Sequence, residues 1–140
     1  MSNTIYVASL NPGCAANTPA STPGTLNLGI PRTFLVSMEV LIPRGHQGLT
    51  GIALVDSSQF IVPYAATGQA WFTGDGTQLK YGYGKELGAH VNLSYYNTDN
   101  TYQHGWQVWL AYIYMSDYDP DEGVDLVSTA GVDYVASQYQ

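Results

Sequence analysis

The chain has 140 residues and a mass of 15.2 kDa, with 45% hydrophobic and 11% charged residues and a formal net charge of −7. That size predicts one domain. The four Lys and Arg residues cannot neutralise a run of phosphates, which excludes nucleic acid and, on the same ground, an anionic membrane surface as partners. A single cysteine, Cys14, excludes an internal disulfide, a cysteine-cluster zinc site and a CxxC redox pair.

The opening Met1-Ser2-Asn3-Thr4 is neither basic nor apolar, and no run approaches the roughly 18 apolar residues of a bilayer span. Synthesis in a cytoplasm is expected. Thr4 to Ala8 reads as a short strand. Asn11 to Pro31 then holds four of the seven prolines, including Pro19 and Pro23, among small polar residues. Proline lacks an amide donor, so this stretch is expected to run extended, without regular ladders.

From Thr33 the period is two. Phe34, Val36, Met38, Val40 and Ile42 share one face, while Ser37 and Glu39 take the other, as in a half-buried strand. Further strands are expected at 49–55, 59–64, 69–73, 77–83, 89–96 and 106–115. They are separated by turns at 56–58, 65–68, 74–76, 84–88 and 97–100. Trp106 to Met115 is apolar on both faces, which marks a strand covered on both sides. No segment sustains a 3.6-residue apolar period. The expected fold is all-β, a two-sheet antiparallel β-sandwich or jelly roll with extended N- and C-terminal arms.

Charge divides the chain. Residues 1–116 carry five acids and four bases, a net of −1, and residues 117–140 carry six acids and no base, a net of −6. Three regions follow: a Pro-rich segment 1–32, a sandwich body 33–116 and an acidic arm 117–140. Their joint at Asp117 to Gly123 is expected to be an exposed turn or linker. Within the arm, Gly123-Val124-Asp125-Leu126-Val127 returns as Gly131-Val132-Asp133-Tyr134-Val135, a pattern suited to two short strands. So little apolar mass must lie on the body or on a neighbouring copy to be ordered. Pro19, Pro23, Val124, Leu126, Val132 and Tyr134 are the expected partner contacts.

Signs of catalysis, metal binding or cofactor binding are missing. Asp117, Asp119 and Asp121 alternate like the start of a calcium loop, but Glu122 and Ser128 stand where such a loop needs Gly and Glu. His46, His90 and His104 show no ligand spacing. There is no GxSxG elbow, and Gly82-Tyr83-Gly84 continues into Lys85-Glu86, not a phosphate loop. Glu39, Asp56, Asp75, Glu86 and Asp99 neither suggest nor exclude a carboxylate pair. Trp106, Trp109, Tyr95, Tyr96 and Tyr102 either fill core and interface or line a sugar-binding face.

The stretch Ile42-Pro43-Arg44-Gly45-His46-Gln47-Gly48-Leu49-Thr50-Gly51-Ile52 is more specific than composition. It is followed by Phe60-Ile61-Val62-Pro63-Tyr64, Trp71-Phe72-Thr73-Gly74-Asp75-Gly76, Tyr96-Asn97-Thr98-Asp99 and His104-Gly105-Trp106. Together with the lead-in Asn17 to Pro23, these motifs resemble a family of small β-sandwich virion proteins of tailed bacteriophages. The resemblance spans about residues 17–115. Thr73 and Gly76 depart from its pattern, and the acidic arm lies outside it.

By residue chemistry, Gly45, Gly48 and Gly51 permit tight backbone geometry, Asp75 suits a hairpin turn, and Asn97 and Asp99 can bond their own loop, with His104 near enough to join. The resemblance implies a non-enzymatic virion structural protein without cofactor, a capsid decoration or tail-associated component. Its partners would be copies of itself and other virion proteins such as the major capsid protein. It would be made in the host cytoplasm and located in the virion. The alternative is a carbohydrate-binding or receptor-binding tail module that touches a host glycan.

Overall fold

The computed structural model describes residues 3–121 and the backbone of residues 124–125, apart from the side chain of Tyr83. The described residues form twelve strands: β1 (Asn3–Thr4), β2 (Tyr6–Leu10), β3 (Gly13–Cys14), β4 (Gly24–Asn27), β5 (Thr33–Ile42), β6 (Thr50–Asp56), β7 (Gln59–Val62), β8 (Thr77–Leu87), β9 (Val91–Asn97), β10 (His104–Gly105), β11 (Gln107–Tyr114) and β12 (Val124–Asp125). Two four-stranded antiparallel sheets, β2-β11-β5-β8 and β4-β9-β6-β7, make an all-β sandwich. A short antiparallel pair, β3 with β10, and a parallel pair, β1 with β12, complete the pairing.

The core lies between the sheets. Leu35, Met38, Val40 and Ile42 of β5 and Val108, Leu110 and Tyr112 of β11 meet Ile52 and Leu54 of β6, Ile61 and Val62 of β7, and Val91 and Leu93 of β9. Full burial of each aliphatic side chain is worth about 1.5–3 kcal/mol.

The alternation in β5 changes phase where the sequence does not show it. Tyr112 pairs with Leu35 and Ala111 with Ser37, so Val36 is an extra residue on β5. Such a bulge turns the residues before it to the opposite face. Leu35 therefore takes the inner position, and Phe34 and Val36, expected to share a face with Met38, join Ile5, Ala111 and Ile113 in a second cluster. Strand β11 is covered on both faces as a result.

Strand β8 runs through the turn expected at 84–88. Gly84, at φ +102°, lies in the same irregularity, and the ladder resumes from Lys85 opposite Leu35 to Leu87 opposite Thr33. The strand expected at 69–73 is reduced to one bridge between Phe72 and Ile52. Ahead of it, Ala65 and Trp71 pack over Ala53, Val55 and Phe60.

The N-terminal segment is part of the sandwich, not an arm. β2, which overlaps the strand expected at 4–8, pairs with β11, and β4, from the stretch expected to lack ladders, pairs with β9. The boundary at 32/33 does not separate two bodies. Pro12, Pro19, Pro23 and Pro31 fall outside the strands, and two short runs between them, Gly13–Cys14 and Gly24–Asn27, pair.

The joint after β11 is also partly anchored. The Tyr118 ring stacks on Phe34 at 4.3 Å and 9°. Asn3 Nδ2 donates to the Asp119 carbonyl at 2.6 Å, and the Asp119 amide donates to Asn3 Oδ1 at 2.7 Å. Asp117, Pro120 and Asp121 stay exposed, as expected of a turn.

Candidate functional site

Most of the turn residues chosen from sequence converge at one end of the sandwich. The 43–49 connection leaves β5 through Gly45 and Gly48, whose φ values of +106° and +72° suit glycine. The Asp75 carboxylate, from the 73–76 turn, accepts hydrogen bonds from the Gly45 amide at 2.7 Å and the Gln47 amide at 3.1 Å. These donors, Gln47 first, hold its carboxyl below the usual carboxylate range. Asp75 thus clasps a second loop as well as shaping its own turn. Gly51 matters for space, not for backbone freedom, because a Cβ there would run into the Tyr96 ring.

The 98–103 loop is organised from within. Asn97, fully buried, donates through Nδ2 to the carbonyls of Tyr102 at 2.9 Å and Cys14 at 3.3 Å. Its Oδ1 accepts from the Asp99 amide at 3.0 Å. Asp99 Oδ1 accepts from the amides of Thr101 and Tyr102, and Asp99 Oδ2 accepts from His104 Nε2 at 2.9 Å. The His104 bond, then the Thr101 amide, holds the Asp99 carboxyl low.

Between the two loops lies His46, 1% exposed. Its Nε2 donates to the Gly105 carbonyl at 2.9 Å, which leaves Nδ1 to accept from the Thr50 hydroxyl at 2.6 Å. The His104 ring is 4.5 Å away and Trp106 meets His46 edge-on at 5.3 Å. Burial pushes the His46 imidazole down, against the opposing pull of the Gly105 carbonyl. Local spacing contains no hint that His46 and His104 meet, because the pairing of Thr50 with Asn97 between β6 and β9 sets their loops side by side. His90 is exposed and stands apart from them.

Thr50, His46, His104 and Asp99 look like the parts of a nucleophile with its base, but Thr50 and His46 are buried beyond the reach of a substrate. Cys14 is also buried, and burial pushes its thiol up, the opposite of activation. The other carboxylates are engaged separately: Glu39 with Gln78 and Lys80, Asp56 with the Gly88 amide, and Glu86 with Arg32. Among the described residues no three His, Cys, Asp or Glu side chains converge on a metal position, and no helix is long and apolar enough to cross a membrane.

The five rings weighed as a sugar-binding face do not share one. Trp106 is 2% exposed and packs with Tyr95 and His46. Tyr96 meets Trp71 edge-on, Trp109 belongs to β11 in the other sheet, and Tyr102 stands in a loop. Interior packing has claimed one of the five, Trp106. An open cleft of 590 Å³ lined by Pro31, Arg32, Ala89, Met115 and Ser116 lies near the ends of β8 and β11.

Of the expected partner contacts, Pro19 is exposed and Pro23 half-buried. The Val124 backbone pairs with Asn3 of the same chain. The Val124 side chain, Leu126, Val132 and Tyr134 lie outside the described residues.

No protein-family model matches the sequence, and no curated protein matches it. Among solved structures, a chain of the cyanophage Pam1 capsid asymmetric unit is similar over 79% of this chain and 84% of its own, at 12% identity and a TM-score of 0.43. A chain of Bacillus endospore appendages, described as a novel family of disulfide-linked pili, is similar over 81% of this chain and 92% of its own, at 13% identity and a TM-score of 0.42. At such scores the function has to be argued from the chain's own residues.

Proposed function

We propose that this chain is a non-enzymatic structural protein of a tailed-bacteriophage particle, a capsid decoration protein that binds sister copies and other virion proteins such as the major capsid protein. The observation that carries the reading is the pair of outer strands in the first sheet. β2 exposes Tyr6 at 44% and β8 exposes Tyr81 at 43%, each on an edge that no further strand of that sheet covers among the described residues. An open edge offers amides and carbonyls to an incoming strand, and tyrosine is enriched where proteins bury surface against one another.

Two further features support it. Only 11% of residues are charged, which suits a surface destined for burial because few ions need desolvating. The groups able to do chemistry, His46, Asp75, Asn97 and Asp99, bond the chain's own backbone. These same residues carry the resemblance to phage virion proteins. The protein's place is then the virion, after synthesis in the host cytoplasm.

Light scattering on the full chain at high micromolar concentration tests the reading. The expected result is a defined multiple of the chain mass, with closed symmetric particles in electron micrographs. Tyr6→Asp and Tyr81→Asp are expected to weaken association by about tenfold or more each, the scale of a lost interface anchor. A monomer at that concentration overturns the reading.

A further inference from the structure

We propose that His46 and His104 form an acid-sensitive latch that holds the N-terminal segment 12–18 against the end of the sandwich. The latch is independent of the assembly reading and rests on the connections of one carbonyl. Gly105 O accepts from His46 Nε2, while Gly105 itself pairs with Gly13 of β3. Around it the Trp106 amide donates to the Pro12 carbonyl at 3.0 Å, the Asn17 amide to Asp99 O at 2.9 Å and the Thr18 amide to Asn97 O at 2.8 Å. The ring that sits between Thr50 and Gly105 therefore ties the 43–49 loop to the strand on which Gly13 pairs.

That ring fits its place in one protonation state. A carbonyl can only accept, so Nε2 carries the hydrogen and Nδ1 is the bare nitrogen facing the Thr50 hydroxyl. A second proton must go to Nδ1, where the hydroxyl has to reverse and a full charge is placed in a site 1% exposed. A proton on His104 as well puts two like charges on rings 4.5 Å apart.

The surrounding groups, the Gly105 carbonyl first, oppose this without outweighing burial. Asp75, on the 73–76 turn, attracts the His46 proton, but its Oδ1 is already held by the Gly45 and Gln47 amides. Asp99, on the 98–103 loop, is taken up by His104 and by the Thr101 and Tyr102 amides. Cys14 of β3 and Tyr95 of β9 add neutral groups, and Arg44, on the same loop as His46, packs its stem toward Gly76. The folded state thus favours neutral His46. The closed latch keeps its full stability above the ordinary imidazole range, roughly 6.5, and loses stability as pH falls below it.

Amide hydrogen exchange followed by NMR on the full chain tests this between about pH 7.5 and pH 5, above the range in which the carboxylates titrate. Protection factors, which remove the intrinsic pH dependence of exchange, are expected to fall about tenfold or more at Asn17, Thr18 and Trp106. Those of Ile52 and Phe72, which bond each other across a bridge beside β6, are expected to stay level. His104→Gln keeps a donor for Asp99 and removes one of the two charges, so its fall is expected to be smaller. Level protection at the latch amides in the wild-type chain, or an equally steep fall in His104→Gln, overturns the latch.

Discussion

Asp75 Oδ1 lies 2.7 Å from the amide nitrogen of Gly45, across 30 residues of chain, and accepts its hydrogen. A second amide, that of Gln47, reaches the same oxygen at 3.1 Å. One carboxylate thereby sets the exit of β5 relative to the entry of β8, and with it the position of His46 between them.

Asp75→Ala is expected to lower the melting temperature by several degrees, and Asp75→Asn, which keeps an acceptor without the charge, by less. Thermal unfolding followed by circular dichroism checks the order. The folded carboxyls of Asp75 and Asp99 are held below their unfolded range near 3.9. Their contribution is therefore present above about pH 4 and lost as pH falls through the folded values. Acid unfolding of Asp75→Ala should be less steep there than that of the wild-type chain.

Asn97→Ala removes three hydrogen bonds at a fully buried position and leaves the Cys14 and Tyr102 carbonyls short of a donor. A loss of about 3 kcal/mol is expected, the scale of several unsatisfied buried groups. Urea unfolding measures it. A loss within about 0.5 kcal/mol, the range of ordinary surface substitutions, would contradict the role assigned to this side chain.

Tyr118→Ala removes the ring stacked on Phe34 and uncovers the cluster of Ile5, Val36, Ala111 and Ile113. The expected cost is about 1–3 kcal/mol from stacking and lost burial. Exchange protection should drop around Asn3 and Ile5 while the inner core at Leu54 and Leu93 keeps its own.

At high pH the relevant group is Tyr112. Burial first, then Tyr114 beside it, pushes its phenol up to about 12. The folded state prefers the protonated ring, so that contribution is intact below the unfolded range near pH 10 and is lost as pH rises through about 12. Burial also raises Tyr95 and Tyr96, so absorbance titration of phenolate is expected to show several late tyrosines, one fewer in Tyr112→Phe, which should also resist alkali better.

The sequence alone determined the element type and much of the corner. Alternation from Thr33 to Ile42, turn residues at regular intervals and the lack of any helical period specify strands, because a two-residue repeat buries one face only of an extended chain. Gly45, Gly48, Asp75, Asn97 and Asp99 were legible as turn chemistry, since backbone conformation and short-range hydrogen bonding are local properties. Tertiary structure alone decided the phase change at Val36, because a bulge is defined by the partner strand and leaves no mark in the strand that carries it. It also decided that residues 6–10 and 24–27 close the two sheets, since pairing depends on which edges lie open nearby. The meeting of His46 with His104 is of the same kind: strand register, not spacing along the chain, brings two imidazoles within 4.5 Å and takes one of them out of water.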